Sequence, residues 1–573
     1  MSAKQPRRKL RLTPGSVAMF IFFAWFILAC LILPNLNLLK TVFFADGGFS
    51  MEPIMKLLKS KRAMKALRNS FILAPTLSLT VGFVGISLVL LTEYFDIKGA
   101  KILRLGYMTT LIYGGITLVS GYKFIYGNGG FLTKALLTVF PSMNPSWFQG
   151  YWAVLFVMTF SCTSNHMIFL RNAIRSVDFQ TVEAARNMGA GQFYILRRVV
   201  LPVLLPSLFA VTILTFITGL SAMSAPLLVG GTEFQTINPM IKTFADTVSS
   251  KDLAALLSLV LGFATMLLLF IMTQIEKRGH YMSVSKVKTK IVKQKITNPV
   301  LNVLAHVYAY VLFVIYVLPV VLIVLFSFTD SKSIGTRTLT LSSFTLENYK
   351  YLLQSLSNYR PFVVSIVYSA LAAVIVGVIV VLACRYIQKH KKARSASVLE
   401  YSLMIPWLLP TTMIALGLMM AFNVRRPYMF NQVLTGTMVI LLIGYVIIKL
   451  PFTMRMTKAA FFSLDDALED ASKNLGAGEM YTFRRVIFPV ILPTVMAIAA
   501  LNFNALISDY DMSAFLYHPL NPTLGVQIKS LTNDMNNPNG MALTFVYAVL
   551  MMIISAVVLY LVYGRGGRDN MKE

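Results

Sequence analysis

The chain contains no G-x-x-x-x-G-K-[ST] segment, the loop whose backbone N–H groups cradle nucleotide phosphates, so it cannot hold a nucleotide in that way. It is also poor in charge. Only 13% of its 573 residues are Asp, Glu, Lys or Arg, and 23 acids face 52 bases. The polar intervals are too short to form a soluble catalytic domain. Three cysteines occur, Cys30, Cys162 and Cys384, all within or at the ends of apolar runs, and they imply no disulfide framework. Of five histidines, His280, His306, His390 and His518 stand apart, and His166 lies beside Asn165. No pair has metal-ligand spacing, so no metal site is expected. His166 reads either as an inner-gate group or as a polar helix end satisfied by nearby backbone.

What is abundant is apolar. Hydrophobic residues make up 56% of the chain and the mean hydropathy is +0.69, values that belong to a multi-pass membrane protein. A helix needs about 20 apolar residues to cross roughly 30 Å of hydrocarbon. Twelve candidate spans meet that requirement, near 15–34, 70–92, 103–126, 149–170, 202–227, 253–275, 300–327, 363–384, 398–421, 432–453, 488–508 and 541–563. Leu28 is too large for the lipoprotein cleavage site that Ile27 to Cys30 otherwise suggests, so the first span is expected to stay uncleaved.

Between the fourth and fifth span of each half lies the same polar stretch. VEAARNMGAGQFYILRRVVLPVLLP at 182–206 and EDASKNLGAGEMYTFRRVIFPVILP at 469–493 align without a gap at an offset of 287, with 13 of 25 positions identical. Glu183, Ala184, Gly189 and Gly191 match Asp470, Ala471, Gly476 and Gly478. The pattern predicts a short helix, a Gly corner and a second helix carrying Arg197 and Arg198, or Arg484 and Arg485, toward the headgroups. The expected fold is therefore all-α and polytopic, with about 12 transmembrane helices in two parallel six-helix repeats. The first half covers 1–275 with its loop at 171–201. A basic cytoplasmic linker covers 276–299, and the second half covers 300–573 with its loop at 454–488.

The net charge of +29 is explained by sidedness rather than by nucleic-acid binding. Lys4, Arg7, Arg8, Lys9 and Arg11, the linker bases Lys277, Arg278, Lys286, Lys288, Lys290, Lys293 and Lys295, and Arg385, Lys389, Lys391, Lys392 and Arg394 all fall on the side of the duplicated loops. Bases concentrate on the cytoplasmic face. One run disobeys: Lys56, Lys59, Lys61, Arg62, Lys65 and Arg68 should lie outside. It begins within FSMEPIMKLLKS at 49–60, which reads like FTLENYKYLLQS at 344–355, and both segments are expected as amphipathic outer helices.

In sequence these loops resemble the EAA loop of permease subunits in binding-protein-dependent ABC importers. The first copy keeps Glu183, Ala184, Ala185 and Gly189; the second puts Asp470 in the Glu column and Ser472 in that of the second Ala. The resemblance implies a type I importer transmembrane domain with both halves fused, and a coupling helix in each loop. It implies two copies of a cytoplasmic ATPase that bind ATP and Mg, an extracytoplasmic solute-binding protein and a bacterial inner membrane. No cofactor is expected on this chain. The FTLENYKYLL segment and the D-x-x-x-x-x-F-L-Y-H-P stretch from Asp509 are most similar to the ferric-iron branch; polyamine, thiamine, phosphonate and sulfate carriers are the alternatives.

Candidate path residues are Asn502, Asp509 and Asp511 near the end of the eleventh span, and Pro406 and Pro410, which interrupt the ninth. About 1.5 Å per residue from Pro489 places Asp509 roughly 30 Å away, near the outer interface, as an acidic mouth or as an ordinary solvated helix end. The prolines would free carbonyls for a pore-lining bend or for packing. The corresponding region of the first half has Gly106, Gly114, Gly115 and Gly121 instead, which are expected to be its source of flexibility. Twelve spans in two sixes also suit a major-facilitator transporter, but EYFDIKGAKILRLG at 93–106 lacks that group's charged signature.

Overall fold

The computed structural model describes residues 14–44, 47–174, 177–278, 293–336, 339–390, 393–533 and 538–561. Lys4, Arg7, Arg8, Lys9, Arg11, Lys286, Lys288, Lys290, Lys391 and Lys392 lie outside them. Ten helices are long and apolar enough to cross a membrane, and two further pairs pass that test only together, bent by 113° and 102°. In each half the bent pair takes the third place. The spans are one, Val17–Phe43; two, Lys61–Tyr94; three, Ala100–Leu111 with Gly115–Val139; four, Tyr151–Ile174; five, Gln192–Leu220; and six, Val248–Ile271. The second half repeats the order: seven, Pro299–Ser327; eight, Leu356–Lys389; nine, Arg394–Trp407 with Thr411–Ala421; ten, Met438–Phe462; eleven, Glu479–Ile507; and twelve, Asn539–Leu559.

Two expectations are corrected. Span three is not one straight helix over 103–126: Gly115 takes a left-handed φ of 56° and the chain turns there. Span five stops at Leu220 rather than running to 227, and a separate short helix, Ser224–Val229, follows. The break in span nine falls at Pro410, which precedes the helix Thr411–Ala421, because proline has no N–H with which to continue the ladder. Spans five and eleven each carry one wide turn, Leu196–Val200 and Phe483–Ile487. Pro202 and Pro489 follow, and each denies the carbonyl four residues earlier its usual partner.

The halves are interlocked. Span one packs on span nine of the other half, and span seven packs on span three. Trp25 donates from Nε1 to the Tyr428 carbonyl at 2.8 Å, and the Tyr107 hydroxyl donates to the Ala309 carbonyl at 2.7 Å. Gly106 makes the second crossing possible, since a Cβ there would stand 2.2 Å from the Phe313 ring.

The short outer helices exist as Glu52–Lys59 and Glu347–Gln354. The disobedient basic run meets local acids: Lys56 Nζ lies 3.2 Å from Glu52 and 3.3 Å from Asp252, and Lys65 lies 3.2 Å from Glu233. Glu52 and Asp252 hold the Lys56 ammonium above its ordinary pKa, and the three acids offset part of the positive charge of the run.

Candidate functional site

Each duplicated loop opens on an aspartate that caps its helix. Asp178 accepts from Gln180 N at 3.0 Å ahead of Phe179–Asn187, and Asp465 accepts from Ala467 N at 2.9 Å ahead of Asp466–Asn474. Each helix ends in a paired-bond corner. Gly189 N donates to Arg186 O at 2.9 Å and Ala190 N to Ala185 O at 3.0 Å; Gly476 N donates to Lys473 O at 2.9 Å and Ala477 N to Ser472 O at 3.1 Å. That bonding pattern needs a left-handed residue after the cap, and Gly189 and Gly476 have φ of 82° and 81°. Gly191 and Gly478 have ordinary φ, and the space where a Cβ would sit is open. Nothing inside this chain requires glycine at those two places.

Glu183 and Asp470 are exposed, as are Ala184 and Ala471. Around them stand three apolar side chains per loop, Met188, Phe193 and Tyr194 at 81%, 74% and 59% exposure, and Leu475, Met480 and Tyr481 at 88%, 65% and 61%; the tyrosines are part of the matched repeat, and the other two columns were passed over. They occupy the same columns at offset 287. Their signal was legible as apolar residues inside an otherwise polar stretch. A repeated apolar knob ringed by charge suits contact with a protein or with a membrane surface.

The fastenings differ beneath this shared surface. In the second loop Glu469 forms a two-pronged ion pair with Arg385 of span eight, at 2.8 and 3.0 Å, and a further pair with Lys473 at 3.0 Å. The Arg385 hydrogen bonds depress the Glu469 carboxyl to about 2, against the smaller opposing effect of burial. Lys389 pairs with Glu479. In the first loop Val182, almost fully buried, occupies the Glu469 column. The inter-half linker supplies the fastening: Arg186 donates to the Gln294 side chain, and Gln192 to the Lys295 carbonyl. Gln294 N in turn donates to Tyr94 O at 2.8 Å, and Asp96 N to Gln294 O at 3.0 Å. Across the corner, buried Ala185 and Ile195 become Ser472 and Thr482, whose hydroxyls meet at 2.9 Å.

These ties put both loops on one face. The linker joins the first loop to the end of span two and to the start of span seven. Span seven crosses, span eight returns, and the last turn of span eight carries Arg385 and Lys389 to the second loop.

The path candidates do not converge on one group. Asn502 is buried and donates to Thr453 Oγ1 at 2.8 Å, fastening span eleven to span ten. Asp509 accepts from Ser513 N at 3.0 Å, the first N–H of the short helix Ser513–Leu516. Its surroundings include Tyr445 and Lys449 of span ten, so it is a fastened group rather than a free mouth. Asp511 makes no hydrogen bond or ion pair among the described residues. Pro406 is buried, and Pro410 marks the bend. No set of three or more His, Cys, Asp or Glu side chains is arranged to hold a metal among the described residues. His166 is fully buried against Gly85 inside span four, with the Cys162 backbone one turn earlier as a polar partner.

The family described as "Binding-protein-dependent transport system inner membrane component" matches residues 10–278 and 373–564. The chain is 38% identical over 540 residues to a probable ABC transporter permease protein, y4fN, of Sinorhizobium fredii, covering 94% of each. It is 22% identical over 555 residues to the ferric transport system permease protein FbpB of Actinobacillus pleuropneumoniae, covering 95% of this chain and 77% of the relative. A putative 2-aminoethylphosphonate transport system permease protein, PhnV, of Salmonella typhimurium is 27% identical over 150 residues, 26% of this chain and 55% of the relative. Among solved structures, a bacterial ABC transporter that imports alginate aligns with a TM-score of 0.39 and 14% identity, over 46% of this chain and 96% of that one.

Proposed function

The chain belongs to the family of inner membrane components of binding-protein-dependent transport systems, with the family domain present twice, and we propose that it is the pore of an ATP-driven importer whose duplicated loops are its coupling helices. ATP and Mg are held by a pair of cytoplasmic ATPase subunits, and each loop seats on one of them. Glu183 and Asp470, with Ala184, Ala471, Gly189, Gly476, Gly191 and Gly478, form the docking surface. Solute arrives from an extracytoplasmic binding protein at a bacterial inner membrane.

The observation that carries this reading is the matched pair of apolar knobs on one face, Met188, Phe193 and Tyr194 with Leu475, Met480 and Tyr481. A two-fold partner fits two equivalent docking points. Closure of the ATPase pair draws the loops together, and the interlocked halves rock between inward and outward openings. The bends at Gly115 and Pro410 lie where the halves meet, so Pro406, Pro410, Asn502, Asp509 and Asp511 belong to the path or its immediate support. This chain makes and breaks no covalent bond.

The cargo reading is ferric iron, taken as solute. It is supported by the ferric transport relative that spans nearly the whole chain and by the Asp511 carboxylate, which has no hydrogen bond or ion pair among the described residues. Reconstitution with the cognate ATPase and binding protein tests both levels. Iron uptake that requires ATP hydrolysis is the expected result; uptake without hydrolysis would sink the importer reading, and uptake of another solute alone would sink the iron reading.

A further inference from the structure

Spans two and four part to leave a cavity of about 650 Å³, inside the range of roughly 300–1,000 Å³ over which proteins hold small ligands. Leu79 and Phe83 of span two, Tyr126 of span three, and Trp152, Phe156 and Phe160 of span four line it. Leu79, Phe83 and Trp152 are 74%, 68% and 76% exposed. Large apolar side chains that protrude from membrane spans face hydrocarbon, so the cavity opens sideways toward lipid.

Its walls are fixed in advance. Trp147 Nε1 donates to Thr133 Oγ1 at 3.0 Å, and Thr133 Oγ1 donates to the Tyr126 carbonyl at 2.7 Å. The Tyr126 ring stands 5.0 Å from that of Phe148 and 5.7 Å from that of Phe156, which stands 4.7 Å from Phe160. Aromatic contacts at these separations hold rings in set orientations. The two threonines of the lining, Thr80 and Thr159, spend their hydroxyls on each other at 2.7 Å.

Depth and width select the occupant. Trp152 lies at the start of span four, on the face opposite the duplicated loops, and Phe160 lies eight residues deeper, about 12 Å along the helix. One leaflet supplies half of the roughly 30 Å hydrocarbon core, about 15 Å. Trp147 and Trp152 mark the interface end, where indoles settle. A helix with its side chains is about 10–12 Å across, too wide for a cleft whose walls meet at the Thr80–Thr159 bond. An alkyl chain is narrow enough. The second half carries no such aromatic set: at the offset of 295 that aligns 49–60 with 344–355, Val378 takes the Phe83 column, and at 287 Val439, Ile443 and Ile447 take those of Trp152, Phe156 and Phe160.

We infer that this groove is a resident lipid site, holding one acyl chain of a phospholipid from the leaflet opposite the duplicated loops. It requires that the chain span a bilayer and is independent of the ATP-driven reading.

The test uses the purified full-length chain in detergent micelles, titrated with a phosphatidylcholine brominated on one acyl chain and followed by indole fluorescence, which nearby bromine quenches. Saturable quenching with one lipid bound per chain is expected. Ala153→Phe fills the groove from a lining position and should weaken that binding about tenfold or more. Phe83→Val with Phe156→Ile copies the second half, keeps both rim indoles and should weaken it about threefold or more; this variant decides the matter if thermal unfolding shows that Ala153→Phe does not fold. Quenching that rises in proportion to added lipid without saturating, or that is equal in the native chain and a folded variant, reports only the surrounding lipid and overturns the site. No ATPase is present, so either result leaves the importer reading where it stands.

Discussion

The two duplicated loops share a backbone and an exposed surface and differ in almost everything that holds them. Caps, corner bonds and the columns of Met188 and Leu475 repeat, while the support changes from Val182 and the linker residue Gln294 in one to Glu469, Arg385 and Lys389 in the other. What is kept faces outward, and what varies faces the chain. That division is expected when one surface must fit the same partner twice while each interior need only be internally consistent. The Ser472–Thr482 hydrogen bond illustrates the second half of the rule. A lone hydroxyl in the Ala185 environment would lack a partner, so both columns change together.

The largest effect should come from removing what the loops share. Met188→Asp combined with Leu475→Asp is expected to cut ATPase co-purification about a hundredfold, and each single change about tenfold, since exposed apolar anchors dominate protein contacts. Glu183→Lys should lower solute-stimulated ATP hydrolysis while the chain remains in the membrane at normal level; loss of expression would instead give Glu183 a folding role.

Next in size is the ionic fastening of the second loop. Glu469→Gln strands the mostly buried Arg385 guanidinium and should destabilise that loop by ~1–3 kcal/mol. Hydrogen exchange should rise over 466–482 and stay unchanged over 179–195; a rise in both would mean that the fastenings are not independent. The same carboxylate sets a pH dependence. Its folded pKa lies below the ordinary value of 4.5, at about 2, so its stabilisation is complete above 4.5 and is withdrawn as the pH falls toward 2. Exchange over 466–482 should therefore accelerate within that window more than exchange over 179–195.

A smaller effect is expected from Gln294→Ala, which removes the tie from the linker to Arg186 and should loosen only the first loop, by ~0.5–1.5 kcal/mol. The smallest comes at the corner. Ser472→Ala leaves Thr482 without its partner and should cost about 1 kcal/mol in thermal unfolding, and adding Thr482→Ile to reproduce the first loop should recover it.

Much of this was legible in the chain. The gapless repeat gave the loops, their Gly corners and the two-half plan, and Pro410 gave the bend of span nine. Gly115 marks a bend of similar size that the sequence reading took only as flexibility, because glycine permits a left-handed φ without requiring it. The exchange of spans one and seven between the halves was not legible, since apolar periodicity says that a face is buried but not against which helix. Asp509 read as an open acid because its partner, Ser513 N, is a backbone group that no side-chain pattern announces.

The account depends most on both loops facing the cytoplasm, and single cysteines at Met188 and Leu475 test it directly. With Cys30, Cys162 and Cys384 replaced by Ser, a membrane-impermeant thiol reagent should label both positions in inverted vesicles and neither in right-side-out vesicles. Labelling of one position from each side would contradict it.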